Sequence, residues 1–279
     1  MPAVTVEALM DAPTDRSGIT ITGLGVGDST VTLWRLADDT RSALPGYRRV
    51  LMNDAAYVVD HHCPVGRDVR YELEVLTGPA GASRTTSAPV FLPSVTGWIS
   101  DALVPQSSIP VVGERRNDGD IYLRSPALSA LEHSADVSLF KVMGSRKPMA
   151  LFGQRMAEQG LDTSLGIRSA EQNTRLKALL DSTAQLVFRP LPEWGDLGLE
   201  GTMYLANATY KRTPVNVMMG GRLTWWDLQS DVVDAPAIKV LTGTFTYGDV
   251  AMLMSTYQQK QDLMAGKTYL DDLKNPIGG

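Results

Sequence analysis

The sequence predicts a mainly β protein: a β-sandwich over residues 1–92, a second β domain with one flanking helix over 93–245, and a C-terminal arm of short helical repeats over 246–279. Three observations carry this. Seven short runs of alternating polarity precede residue 92, a strand–helix–strand pattern fills Leu161 to Pro190, and the periodicity changes after Thr246. At 279 residues, with 43% hydrophobic and 20% charged side chains, the composition is that of an ordinary folded protein. A net charge of −5 argues against sequence-independent nucleic-acid binding, which needs a dense Lys/Arg surface. Cys63 is the single cysteine, so neither an intrachain disulfide nor a cysteine-based zinc site is available. Met1 to Glu7 has no basic region leading into an apolar run, and no window approaches the roughly 18 to 20 apolar residues of a membrane span. The expectation is a chain made in cytosol that is neither exported by a signal peptide nor embedded in a membrane.

The predicted strands of the first domain are Val4 to Leu9, Ile19 to Leu24, Thr30 to Leu36, Tyr47 to Met52, Ala55 to Asp60, Val69 to Leu76 and Arg84 to Phe91. Seven strands at this spacing point to a sandwich of fibronectin type III or immunoglobulin kind. Val31, Leu33 and Arg35 alternate with Thr32, Trp34 and Leu36, and Trp34 is expected to face the core between the sheets. Val69, Tyr71, Leu73 and Val75 share one face. Tyr71 resembles the tyrosine near the start of a late strand in fibronectin type III modules.

Pro89, Pro93 and Gly97 interrupt the pattern and place a boundary near Pro93. Beyond it, Trp98 to Pro105 and Ile109 to Val112 form an extended entry to the second domain. Strands are predicted at Val137 to Met143, Pro148 to Phe152, Met203 to Tyr210, Val215 to Met219 and Arg222 to Asp227, with Gly220-Gly221 as a hairpin turn. In the central stretch, Leu161, Thr163, Leu165 and Ile167 alternate with Asp162, Ser164, Gly166 and Arg168 as in a half-buried strand. Ser169 and Gln172 have the spacing of a capping box, and Leu176, Leu179 and Leu180 form the apolar stripe of the helix that follows. Leu186 to Phe188 returns as a strand. In the arm, Thr246-Tyr247-Gly248-Asp249, Thr256-Tyr257-Gln258-Gln259 and Thr268-Tyr269-Leu270-Asp271 repeat a Thr-Tyr unit that can cap a short helix. Val250, Leu253, Met254, Leu263 and Met264 give these helices an apolar side. Each is too short to be stable alone and needs a surface to dock on.

No catalytic, cofactor-binding or metal-binding constellation emerges. Gly23-Leu24-Gly25-Val26-Gly27 leads into a strand rather than a helix and reads as a turn instead of a dinucleotide fingerprint. His61-His62-Cys63 are adjacent residues that alternate direction, so they read as exposed or partly packed loop residues rather than metal ligands. Asn117-Asp118-Gly119-Asp120 lacks the ligand ladder of a calcium loop and reads as a turn. Trp194, Tyr204, Trp225 and Trp226 are the candidates for a sugar-stacking platform, with core or interface packing the commoner use of such rings. Gly144 to Pro148 is the nearest basic cluster and reads as a solvated hairpin tip.

Trp98 to Leu103, the strand–loop–strand from Leu139 to Gly153, and Leu161 to Pro190 resemble segments of minor tail and distal-tail-like proteins of long-tailed (siphovirus) bacteriophages infecting actinobacteria. The Thr-Tyr units are similar to Thr-Trp-x-Asp-Leu repeats of such proteins, with Tyr in place of Trp. The resemblance implies a structural, non-enzymatic virion component made in the host cytoplasm. Its fold would be a tail-tube or distal-tail-like β domain behind a fibronectin-like module, with no cofactor. It further implies a homo-oligomeric ring, sixfold before threefold, in contact with other phage tail proteins. The short capped helices of residues 246–279 are expected to lie against a neighbouring chain or another tail protein. The alternative from another class is a carbohydrate-binding accessory module that recognises host-surface glycans.

Overall fold

Period-2 alternation marks a buried face in the long runs around Val31 to Arg35 and Val69 to Val75, and that face meets the buried side chains of a second sheet. In the computed structural model, residues 1–11, 14–114, 119–124, 127–128, 132, 135–141, 143, 146–155, 159–183, 185–194, 200–215, 223–238, 256–263 and 265 are described. The first part comprises β1 (Ala3–Leu9), β2 (Arg16–Thr22), β3 (Asp28–Ala37), β4 (Thr40–Ala43), β5 (Val50–Asn53), β6 (Ala56–Asp60), β7 (Asp68–Thr77), β8 (Ser83–Thr86) and β9 (Val90–Phe91). One antiparallel sheet has the order β1-β2-β6 and the other β4-β3-β7-β8, with β5 pairing β3 and β9 pairing β7. Val4, Ile19 and Ile21 from the first sheet and Val31, Leu33, Val69 and Leu73 from the second bury into one cluster. Pro89 divides the run Arg84 to Phe91 into β8 and β9, because it has no N–H to give to a ladder. Gly23, Gly25 and Gly27 all have positive φ, at 75°, 84° and 129°, and form the turn between β2 and β3.

The expected placement of Trp34 is corrected. Val31, Leu33 and Arg35 take the inward face of β3, so Trp34 lies on the outer face, where Nε1 donates to Glu74 at 2.8 Å and the Arg41 guanidinium stacks 3.7 Å from its ring centroid. Alternation defined two faces correctly, but the apolar ring was assigned to the wrong one. The inward slot holds Arg35, whose charge is satisfied by a buried carboxylate.

The second part contains β10 (Gly97–Asp101), β11 (Ile109–Gly113), β12 (Ile121–Leu123), β13 (Ala135–Phe140), β14 (Met149–Arg155), β15 (Leu161–Asp162), β16 (Leu165–Ile167), α1 (Ala170–Ser182), β17 (Leu186–Arg189), β18 (Met203–Val215), β19 (Leu223–Val233) and, further on, α2 (Tyr257–Leu263). Neighbouring strands run β19-β16-β12-β11-β10-β17-β18, and β18 pairs again with β19, so the sheet closes into a barrel. β15 joins β19 alongside β16. The β11–β12 pair is parallel and the other barrel pairs are antiparallel. Ile99, Ile109, Val111, Ile121, Leu165, Ile167, Phe188, Leu205 and Trp226 fill the interior. Closure leaves the barrel no open edge for another strand to extend.

α1 adds Leu176, Leu179 and Leu180 to that same interior cluster, which places the helix across one mouth of the barrel. Asn173 ties it to β19, donating to Thr224 Oγ1 at 3.1 Å and accepting from Trp226 Nε1 at 2.8 Å, while Arg175 donates to the Ser108 carbonyl at 2.8 Å. The expected capping box does not form. Ser169 occupies the N-cap position without a side-chain bond, and the buried Gln172 Oε1 has no partner, so tertiary contacts rather than a cap hold the helix start. The strand predicted from Leu161 to Arg168 breaks into β15 and β16 and is buried on both sides rather than one. Gly166 explains part of this: a Cβ there would come within 2.2 Å of the Tyr122 ring, so only glycine lets that ring lie over β16.

β18 merges the strand predicted at Met203 to Tyr210 with the start of the next, and Val215 faces Leu223 of β19 across the ladder. The rest of the strand predicted to Met219, and the Gly220-Gly221 turn, lie outside the described residues. In the arm, the second Thr-Tyr unit forms its capping box: Thr256 N donates to Gln259 Oε1 at 3.2 Å, and Gln259 N donates to Thr256 Oγ1 at 3.3 Å. The units at Thr246 and Thr268, with Val250, Leu253, Met254 and Met264, lie outside the described residues. Among the described residues no helix is long and apolar enough to cross a membrane.

Candidate assembly surface

β13 and β14 form a two-stranded antiparallel sheet of their own, paired Val137 with Phe152, Ser138 with Leu151, Leu139 with Ala150 and Phe140 with Met149. Cross-strand partners share a face. One face therefore presents Val137, Leu139 and Phe152, and the other Phe140, Met149 and Leu151. All six are exposed, from 41% for Val137 to 78% for Phe152, and Met143 at the tip is 98% exposed. A soluble hairpin needs at most one apolar face, and an isolated one is marginal in water at best. The hairpin from Ala135 to Arg155 carries Lys141, Arg146, Lys147 and Arg155 against a single acidic residue, Asp136, in a chain of net charge −5. Apolar on both faces and basic at the tip, the hairpin is suited to burial between acidic protein surfaces.

The remaining candidates are placed as follows. The expectation that His61, His62 and Cys63 are exposed or partly packed loop residues is overturned: they are 7%, 2% and 0% exposed. They follow β6 at the seam where sandwich meets barrel. His62 Nδ1 lies 3.1 Å from Tyr204 Oη, and Thr202 Oγ1 donates to the His62 carbonyl at 2.6 Å. From the end of β17, Arg189 Nη1 donates to the carbonyls of Asp15 at 2.7 Å and Cys63 at 3.1 Å, while Nη2 donates to Thr14 Oγ1. Behind them Arg35 pairs with Asp60 at 3.1 Å and donates to the His62 carbonyl at 2.7 Å, and Tyr71 Oη donates to Asp60 at 2.8 Å. Burial is the largest influence on Arg35 and opposes its charge, but Asp60, with Tyr204, Tyr71 and Cys63 adding to it, outweighs burial and holds the guanidinium above its ordinary pKa. Burial likewise works against the Asp60 carboxylate, yet Arg35, His62 and the hydrogen bonds from Tyr71 and the His62 amide together carry it below the ordinary range. Burial pushes His61 down to about 4 and His62 down to about 3. The missed signal was parity: Arg35 and Asp60 stand at inward positions of β3 and β6, and two opposite charges on facing inner surfaces imply a buried pair.

The four aromatics do not share a platform. Trp226 is enclosed in the barrel and Tyr204 is buried at the seam. Trp194 stacks on Phe188 with centroids 6.3 Å apart, and Trp225, on the barrel exterior, lies under the Arg124 guanidinium 4.3 Å from its ring centroid. Among the described residues no three His, Cys, Asp or Glu side chains group as metal ligands. Asn117 and Asp118 lie outside the described residues, as do Gly144 and Ser145 of the basic tip. Comparison with protein-family models, with curated proteins and with solved structures finds no match to this chain.

Proposed function

We propose that the chain is a structural component of a bacteriophage tail, at the tail tip or distal tail, which builds a homo-oligomeric ring through the β13–β14 hairpin. The single observation that carries this is a hairpin with apolar side chains exposed on both faces, because such an element is stable only when other protein covers it. The occupant proposed is a second copy. Its predominantly acidic body complements the basic hairpin, and identical protomers related by rotation supply one covering surface for each hairpin in a closed ring. A closed barrel with one helix across its mouth supports a tail-tube or distal-tail-like domain. The facing sheets with a buried late-strand tyrosine support a fibronectin type III-like module, although the Tyr71 hydroxyl bonds to Asp60 rather than to backbone. A sixfold ring is the first choice and a threefold ring the second, with other tail proteins as further partners.

Leu139→Glu combined with Phe152→Glu places two carboxylates on one hairpin face. Both sites are exposed, so the isolated chain should keep its stability within about 0.5 kcal/mol, while burial of unpaired charge in an interface costs several kcal/mol. The expected result is a ring for the wild type and a folded monomer for the variant, read by native mass spectrometry and particle imaging. A wild type that stays monomeric under assembly conditions, or a variant that assembles normally, would overturn the reading.

The arm is proposed as a second contact between protomers. Deleting everything after Gly243 should leave the thermal transition of both cores in place and abolish stable rings. Normal assembly by the truncated chain would assign the contact to the hairpin alone.

A further inference from the structure

The seam between sandwich and barrel lies apart from the hairpin, and we propose that it is an acid-sensitive latch: shut while His61 and His62 are neutral, and opening between the two parts when they gain protons. The geometry has three elements. Most of each hydrophobic cluster belongs to one part, and only Leu191, Trp98 and Trp194 reach from the barrel side onto the sandwich cluster, so separation uncovers these three side chains and leaves the rest of each core in place. The polar contacts across the seam converge on residues 14–15 and 62–63: Tyr204 to the His62 ring, Thr202 to the His62 carbonyl, and Arg189 to Thr14, Asp15 and Cys63. Finally, His62 Nε2 and His61 Nδ1 are buried without a partner, so no acceptor waits for a second proton on either ring.

The charges facing these rings would resist a further cation. Arg35, Tyr71, Asp60, Cys63 and Arg16 face them from the sandwich, and Arg189 and Tyr204 from the barrel. Asp15 adds its backbone carbonyl to Arg189, and Asp11 pairs with Arg16 at 3.0 Å on the rim. Asp60 is the carboxylate acting on both rings, and it is already held by Arg35, Tyr71 and the His62 amide. A protonated imidazole would join a site where Arg16, Arg35 and Arg189 oppose a further cation and the one carboxylate acting on the rings is already engaged.

Burial holds His61 at about 4 and His62 at about 3, and opening would return both toward the ordinary histidine value. Since the closed-state values are the lower ones, the latch is at full strength above about pH 6.5 and is lost progressively as pH falls toward about 3. By linkage each ring shifts the opening equilibrium about thirty-fold between neutrality and pH 5, and the two together about a thousand-fold.

The test is hydrogen exchange of the full chain from pH 7.5 to 5, corrected for intrinsic exchange, read over residues 60–67 against the barrel strands at 186–189 and 223–233. The expected result is a protection loss of about a thousand-fold confined to the seam, reduced to less than about ten-fold in a His61→Gln, His62→Gln variant, whose amides keep hydrogen-bonding capacity but do not titrate. An equal acid response in that variant, or a wild-type seam whose protection does not change, would overturn the proposal. Should the variant fail to fold, imidazole titration in the wild type decides: neutral rings at pH 5 in the closed chain support the latch, and titration near pH 6.5 without opening refutes it.

Discussion

Asp60→Ala is expected to lower the unfolding free energy by about 3–5 kcal/mol, the cost of leaving a buried guanidinium without its carboxylate. The side chains of Arg35 and Asp60 are 6% and 2% exposed, so water cannot take over the lost interaction. The same substitution frees the Tyr71 hydroxyl and the His62 amide, which both donate to that carboxylate. Asp60→Asn keeps most of the shape and should fall between the two. Replacing both partners, as Arg35→Met with Asp60→Leu, should recover much of the loss, because a buried pair is costly to break and much cheaper to replace with apolar groups. Denaturant midpoints at constant slope measure the series. A loss of only about 0.5 kcal/mol for Asp60→Ala, the size of an ordinary surface change, would mean that the pair is solvated in the folded chain.

Trp226→Ala should cost a comparable amount, about 3–5 kcal/mol, from lost transfer energy and the cavity left inside the barrel. Trp226 is fully buried, donates to Asn173 of α1 and packs against Tyr210 at 5.5 Å between centroids. The loss should therefore be distributed unevenly. Amides of α1 are expected to lose protection before those of β10 and β17, since the helix meets β19 partly through this residue and lacks a side-chain cap. Trp226→Phe, which keeps an aromatic body, should cost clearly less and leave the helix attached. Uniform loss across the barrel would show that Trp226 fills space without anchoring α1.

Much of the fold was legible because strands read their environment locally. Six of the seven early runs became strands over most of their length, since alternation records which face meets a core. Tyr47 to Met52 is the exception: only its end pairs, as β5, and β4 at Thr40–Ala43 was missed because Thr40, Arg41 and Ser42 are polar and exposed. Leu176, Leu179 and Leu180 were identified as the buried stripe of α1 because helical spacing leaves few other uses for three leucines. The misses involve contacts between distant segments. Nothing near His61 or His62 in sequence announces Tyr204 or Arg189, more than a hundred residues away, so two polar rings looked exposed. Barrel closure was illegible for the same reason, since it depends on which strands become neighbours and not on any single strand's pattern. The hairpin was readable as strand–loop–strand, but its exposure was not: Val137, Leu139, Leu151 and Phe152 look like core residues in sequence, and the structure leaves all four exposed.

Closure through β19 also sets an order of events during synthesis. β19 is the common neighbour of β15, β16 and β18, and it ends at Val233, whereas the sandwich has all nine of its strands by Phe91. An emerging chain can therefore finish its first module while β16 waits for a partner nearly sixty residues downstream. Non-local pairing of this kind adds loop-closure entropy and slows folding. Through that interval the nascent barrel is an open sheet whose edges can recruit a wrong strand, including β13 or β14 of a chain on a nearby ribosome. The sandwich meanwhile presents its half of the seam, with Asp15 and Cys63 carbonyls in place to receive Arg189 when β17 arrives. The module made first thus serves as a template for the second, and moving it behind the barrel by circular permutation should slow maturation of the chain more than it alters the final fold.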